Sequence, residues 1–266
     1  MKKYIQVLKA TLQEYFIYRL NFVMWRVRSV IQLLLLYFLW LVIFQKNQVV
    51  FGYDKSQILT YVLGVWALRA LVLSTRTAEV GGEISRGDLS LYLLRPISYV
   101  KYWFSRDLAD KIFNIGFFIV EAVILVFLLK PPLVFQTNLL LIFCTLFSIF
   151  IGIFLLFNIS FLLGLSTFWA PEGEWGGPRF LFNIILDFFS GGLFPLDILP
   201  LLLFRFLQIL PFPYLLFFPL NIYLGRLNTL QIFQGYLIMT FWLIVSTWLI
   251  KIVWQKGLRV YSAVGR

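Results

Sequence analysis

The sequence predicts an all-α, polytopic membrane protein of about six transmembrane helices. Composition is the first of three observations behind this. Of 266 residues, 61% are hydrophobic and only 13% are charged, against about half and about a quarter in a soluble domain. No soluble fold of this size hides so much apolar surface, so the solvent is lipid. Second, the apolar residues fall into runs of about twenty, enough to cross a hydrocarbon core as helix. Third, Lys and Arg exceed Asp and Glu by 11 and gather on one side of those runs. The excess reports topology and contact with anionic lipid headgroups rather than nucleic acid. An aromatic share of 20% suits interfacial belts and packing on acyl chains.

Residues 1–20 place Tyr4, Leu8, Leu12 and Tyr15 on one helical face and Lys2, Gln6, Lys9 and Gln13 on another. This is an amphipathic helix expected along the inner leaflet, or else an extension of the first span. With no continuous apolar run and no small-residue cleavage site, it is not expected to be a cleaved leader. The spans then follow at 21–44, 57–75, 108–129, 139–168, 180–194 and 230–254. Lys130, Pro131 and Pro132 end the third, and the loop WAPEGEWGGPR precedes the fifth.

Residues 190–226 are apolar but broken by Gly191, Gly192, Pro195, Pro200, Pro211, Pro213 and Pro219. Pieces this short cannot cross a core that needs about twenty residues. They predict an outer re-entrant hairpin, tolerated where protein covers the freed backbone groups. One kinked span is the alternative reading.

Orientation follows from the basic residues. Lys2, Lys3, Lys9, Arg19, Arg26 and Arg28 precede or open the first span, and six more lie between Arg76 and Lys111. Lys251, Lys256, Arg259 and Arg266 close the chain, and Arg179 precedes the fifth span. The opposite side has Lys46, Lys55, Lys130, Arg205 and Arg226. Both termini are therefore expected in the cytoplasm, which requires an even number of spans.

Enzyme chemistry finds little support. There is no His, and the lone Cys144 sits in an apolar run, so His-based acid–base work, a His metal site and an internal disulfide are excluded. No GxxxxGK[ST], HExxH, GxSxG or GxGxxG occurs. Three ionisable residues fall inside expected spans: Arg69, Glu121 and Asp187. Unpaired charge in hydrocarbon is costly, so each is a functional candidate. Arg69 either snorkels or pairs with Glu121 across adjacent antiparallel helices, and Asp187 is expected to brace a helix end or the hairpin.

The stretch 76–107 mixes Glu79, Glu83, Arg86, Asp88 and Arg95 with an apolar cluster from Leu89 to Leu94 and with Tyr99, Tyr102, Trp103 and Phe104. A short helix, a turn at Gly87 and Asp88, and an amphipathic return helix from about Ser98 are expected. Such a surface suits a cytoplasmic partner; the alternative is a loop held at the headgroups.

EISRGDLSLYLLRP resembles the E-I-x-x-G-x-L…L-L-R-P stretch of daunorubicin-type and related bacterial permeases. SGGLFPLDILP resembles their G-x-x-F-P-L-x-x-L-P segment, and GLRVYSAVG their G-L-x-x-Y-x-x-x-G tail. In this order the three motifs are similar to the membrane subunit of a type-2 ABC exporter. The resemblance implies a single permease domain over residues 1–266. It implies a coupling helix around Glu83, Ile84, Arg86, Gly87, Asp88, Leu89, Arg95 and Pro96, which receives motion from a separate ATPase. The hairpin at Gly191, Gly192, Phe194, Pro195, Pro200, Pro211 and Pro213 then closes the exit. Two ATPase copies, which hold the ATP and magnesium, and a second identical or homologous permease protomer are implied partners. A bacterial plasma membrane is the implied location, and the chain itself takes no cofactor and catalyses nothing. Phe-rich spans with scarce polarity favour an amphipathic or lipid-like cargo. A polysaccharide-exporting permease of the same type is the nearest rival. An ion-coupled secondary transporter needs breaks in both halves, and only the second half has one.

Overall fold

The computed structural model describes residues 2–17, 19–77, 79–170 and 177–261. Among them lie eleven α-helices: α1 (Lys2–Ile17), α2 (Arg19–Ile43), α3 (Lys55–Leu68), α4 (Glu79–Ser85), α5 (Leu89–Leu93), α6 (Tyr99–Leu129), α7 (Leu139–Leu165), α8 (Gly177–Phe189), α9 (Leu201–Leu207), α10 (Phe217–Tyr223) and α11 (Thr229–Val260). A two-stranded ribbon, Val49–Val50 with Tyr53–Asp54, is the sheet content. The protein is an all-α polytopic membrane protein.

Five helical stretches are long and apolar enough to cross a bilayer: Phe22–Ile43, Lys55–Leu73, Tyr99–Leu129, Leu139–Phe168 and Thr229–Val260. The expected span at 180–194 takes another form. Its helix, α8, has 13 residues, or about 20 Å against a core of about 30 Å. The passage is still made. Arg179, near the start of α8, lies in the field of Glu79. Asp187 reaches Arg69, partway along the second span, and Asp197 reaches Tyr53 beyond that span's far end. Thus α8 and the unwound residues after it traverse the bundle as a broken span, because Gly191 and Gly192 end the helix.

The ends of the long helices are written in the sequence. Asp54 caps α3 through a capping box with Gln57, and Asn228 caps α11 with Gln231. Lys130 ends α6 in the left-handed conformation, just before the two prolines. The return helix expected from Ser98 and the span expected at 108–129 are one helix of 31 residues. Its polar stretch is no break, because Arg106, Asp110 and Lys111 all find partners on other elements.

Helices α1 and α2 run parallel to α6 in a constant register. Ser98 N–H donates to Tyr4 at 3.1 Å, an offset of 94 residues; Tyr15 binds Asp110 and Arg26 binds Glu121, each an offset of 95. The face of α1 expected to be apolar is therefore the one laid on α6, with Tyr15 stacked on Phe113 at 4.3 Å. Lys2, Gln6, Lys9 and Gln13 stay exposed.

Residues 190–226 form a hairpin of two seven-residue helices, α9 and α10, with 3-10 turns at Leu196–Ile198 and Phe212–Tyr214. Its tip lies on the outer surface of the bundle, alongside the middle of α11. Trp242, about 20 Å along α11 from Thr229, donates its indole N–H to the Ile209 carbonyl at 2.8 Å. The hairpin folds back on its own root, where Phe217 N–H donates to the Ser190 carbonyl at 3.0 Å.

At the opposite end, α4 lies against α7 at backbone distance. A Cβ on Gly164 would sit 2.9 Å from Val80 Cβ and 3.2 Å from the Thr77 carbonyl oxygen, whereas one on Gly81 would meet only the Thr167 hydroxyl, at 2.8 Å. Gly164→Ala is therefore expected to cost about 1–3 kcal/mol, since neither Val80 Cβ nor a backbone oxygen can rotate away. Gly81→Ala should cost clearly less. Thermal unfolding of the two purified variants in detergent measures the difference, and equal losses would contradict this packing.

Candidate functional site

The turn between α4 and α5 is built around Gly87, whose φ of +80° is open to glycine at no cost. Its carbonyl accepts from the Ser90 hydroxyl at 2.8 Å and from the Tyr261 hydroxyl at 2.7 Å, and Ser90 N–H donates back to the Tyr261 oxygen at 3.1 Å. Tyr261 follows α11 and clamps the turn from across the bundle. Arg86 and Asp88 pair at 3.1 Å on the exposed tip. Behind them Ile84 and Leu89 are buried with Trp103, Phe161 and Leu165. Arg95 lies over the Tyr92 ring, and the Pro96 carbonyl accepts from Lys3 on α1.

Glu83 points inward from the middle of α4 and is only 7% exposed. Its carboxylate accepts from Tyr92 at 2.9 Å, Tyr99 at 2.7 Å and the Trp103 indole at 3.2 Å. One group thus ties α4 to α5 and to the first turns of α6. Burial pushes its carboxyl up from the ordinary 4.5, against the pull of the three donors. Tyr92 is pushed well above the usual phenol range, by burial first and then by its bonds to Tyr102 and Glu83, so it stays a donor.

Beside it, four charges alternate in sign. Arg76 binds Glu14 at 2.8 Å and Glu79 at 2.6 Å; Arg106 binds the same two at 2.9 and 3.2 Å. This quartet joins α1, α4 and α6. Lys111, 3% exposed, donates to the carbonyls of Val72 and Ser74 and pairs with Asp107 at 3.3 Å.

Within the spans the expected Arg69–Glu121 pair is not formed. Glu121 takes both ends of the Arg26 guanidinium, with Nε at 2.8 Å, because α2 is the parallel neighbour of α6. Arg69 turns to the hairpin root instead, binding Asp187 at 2.6 Å and the Gly192 carbonyl at 3.2 Å. It stands where α3 passes into a π-helical turn, Arg69–Leu73. Eight residues before it, the Tyr61 hydroxyl donates to the Gly191 carbonyl at 2.7 Å. Gly191 has φ +81° and Gly192 leaves room only for the Arg69 guanidinium. Phe194 packs edge-on to Phe188. Pro195 precedes the first 3-10 turn, Pro200 opens α9, Pro211 opens the second 3-10 turn, and Pro213 is buried in it.

Sequence reasoning missed the anchoring roles of Tyr61, Tyr92 and Tyr261 and the pairing of Glu14, Arg26, Arg76 and Arg106. It put Tyr99 and Trp103 on a surface offered to a partner, whereas both are buried against Glu83. The constant offset of about 95 residues appears only once two helices are known to be parallel. Residues 171–176 of the loop before α8 and 262–266 of the tail lie outside the described residues.

The described residues thus form apolar spans with a helix–turn–helix fixed at one end and a hairpin packed on the spans at the other. A family model described as ABC-2 family transporter protein matches residues 30–265. The chain belongs to the ABC-2 family. It is a permease of an ABC transporter and not itself the ATPase. No curated protein and no solved structure matches it.

Two outcomes test this geometry. Glu121→Ala strands a buried guanidinium and should cost on the order of 3 kcal/mol, while Arg26→Met with Glu121→Met should recover most of it; melting of the single and double variants decides. The second is a pH dependence. Because the folded chain binds the Glu83 proton more readily than the unfolded chain, this contribution is full below the ordinary 4.5. It is lost as pH rises through the raised folded value. The melting temperature of the parent minus that of Glu83→Gln should therefore fall with rising pH across that window; a flat difference contradicts it.

Proposed function

We propose that the chain is the membrane subunit of an ATP-driven exporter, working as a dimer with a separate ATPase on each protomer. One observation carries the reading. The helix–turn–helix of α4 and α5 leaves the spans, presents Arg86 and Asp88 at its tip over a buried Gly87, and is fixed behind by Glu83 and Tyr261. A segment that must pass on force has to be exposed where it is pushed and rigid where it joins the spans.

On this reading α4, Gly87 and α5 form the coupling element and face the cytoplasm. The Arg226 end faces out, with the hairpin of α9 and α10 closing the exit. ATP binding in the partner favours one membrane arrangement over the other, which is what a driven change requires. The spans expose rows of Leu, Ile, Val and Phe, such as Ile119, Val123 and Phe127 on α6. That surface supports an amphipathic or lipid-like cargo. The positive-inside count supports a bacterial plasma membrane with both termini inside.

Affinity purification in mild detergent tests the assembly. A stoichiometric P-loop ATPase is expected to copurify, and transport by the purified chain without any ATPase would refute the reading. Gly87→Trp or Asp88→Lys should leave insertion intact while lowering export per ATP hydrolysed at least about tenfold, a loss of about 1.4 kcal/mol in coupling. Measured in vesicles, export per ATP equal to the parent's removes the coupling role from this turn.

A further inference from the structure

At the Arg226 end, a cavity of about 250 Å³ lies between the hairpin and the first third of α11. Its chemistry differs from the spans around it. Four amides line it, Gln208 from the end of α9, Asn221 from α10 and Gln231 and Gln234 from α11, together with the rings of Phe204, Tyr214 and Phe217. Asn221 is spent on the Tyr53 hydroxyl and the Phe217 carbonyl. Gln208 and Gln234 are exposed. Gln231 spends its side-chain oxygen on the Asn228 N–H at 2.9 Å, leaving its amino group to donate.

The charged residues of the cavity pair with each other, Arg226 keeping only its buried Nε–H without a hydrogen-bond partner. Arg226 binds Asp197 at 3.3 Å and the Gly52 carbonyl at 2.7 Å, and its guanidinium lies 3.5 Å over the Tyr53 ring. Asp197 accepts from the Tyr53 hydroxyl at 2.9 Å. The pair leaves the site with no net charge. Amides that donate and accept, facing aromatic rings in a neutral cavity, suit an uncharged ring bearing several hydroxyls. Such a ring offers C–H faces to the aromatics and O–H groups to the amides. At about 250 Å³, below the roughly 300–1,000 Å³ of drug-sized sites, the cavity takes one ring and not an oligomer.

We propose that this cavity binds the uncharged, polyhydroxylated headgroup of an amphiphile, one sugar ring or its equivalent. The apolar tail runs out along the exposed face of α9, where Leu202 and Phe206 face outward. That the headgroup belongs to cargo rests on the exporter reading; the binding itself does not, because it needs no ATPase.

The test uses the full chain in phosphatidylcholine nanodiscs without any partner. Octyl β-glucoside and hexyl phosphocholine, each below its micelle-forming concentration, are titrated with saturation-transfer NMR as the readout. Sugar-ring protons should be saturated, and Gln208→Leu with Gln234→Leu should weaken binding about tenfold. If that double variant melts lower than the parent, Gln234→Asn alone, which shortens one amide, should still weaken binding with an unchanged melt. Equal saturation in parent and variant chains would mean simple partition into the disc and overturns the proposal. So does phosphocholine outcompeting the glucoside, which would assign the site to a charged headgroup through Arg226. Neither result touches the permease assignment, which the copurification tests separately.

Discussion

A carboxylate buried away from water must be met by donors or it costs several kcal/mol, and at the Gly87 end that carboxylate is Glu83. Its three donors come from α5 and from two successive turns' worth of α6. The arrangement of α4, α5 and α6 satisfies all of them. The remaining contacts at this end are consistent with that arrangement: Leu89 and Trp103 are fully buried behind it, and Tyr261 closes on the Gly87 carbonyl. The constraint also explains why α4 approaches α7 so closely at Gly164, since α4 must present Glu83 on one side and pack on the other.

The same rule operates deeper, where lipid makes it stricter. Glu121 holds α6 to α2 through Arg26, and Asp187 holds the hairpin root to α3 through Arg69. Helix α3 therefore touches both ends of the molecule. Tyr61 and Arg69 grip the backbone at Gly191 and Gly192, and the π-helical turn that begins at Arg69 runs into the residues that Lys111 and Arg76 fix beside α4. Under the exporter reading, α3 is the rigid element through which motion at the Gly87 turn reaches the hairpin. A coupling measurement should therefore address this helix.

How far the sequence foretold this depended on range. The helices α2, α3, α6, α7 and α11 were legible because hydropathy and length decide them, and the Gly87 turn because Gly followed by Asp breaks a helix. The hairpin's prolines and glycines marked its breaks correctly at Pro200, Pro211 and Gly191. Partners were another matter. The second span does pack against α6, with Lys111 on the Val72 and Ser74 carbonyls and Trp66 edge-on to Phe118. But Arg26 takes Glu121, and Arg69 faces a segment more than a hundred residues later. The expected span at 180–194 runs past the break that Gly191 and Gly192 mark, because the apolar run continues to Phe194 while the helix ends at Phe189. Nothing in the sequence sets Tyr61 or Tyr261 apart from other aromatics, and Tyr99 reads as part of a docking surface; only their hydroxyl partners distinguish them.

The most direct test of the central claim is hydrogen exchange on the purified chain, comparing the parent with Glu83→Ala. If Glu83 holds the segment in place, amides of α4 and α5 and the first turns of α6 should lose protection together. Amides of α3 and α11 within the spans should be unchanged. Protection of residues 79–93 equal to the parent's would contradict the account, because the segment would then be held without its buried carboxylate.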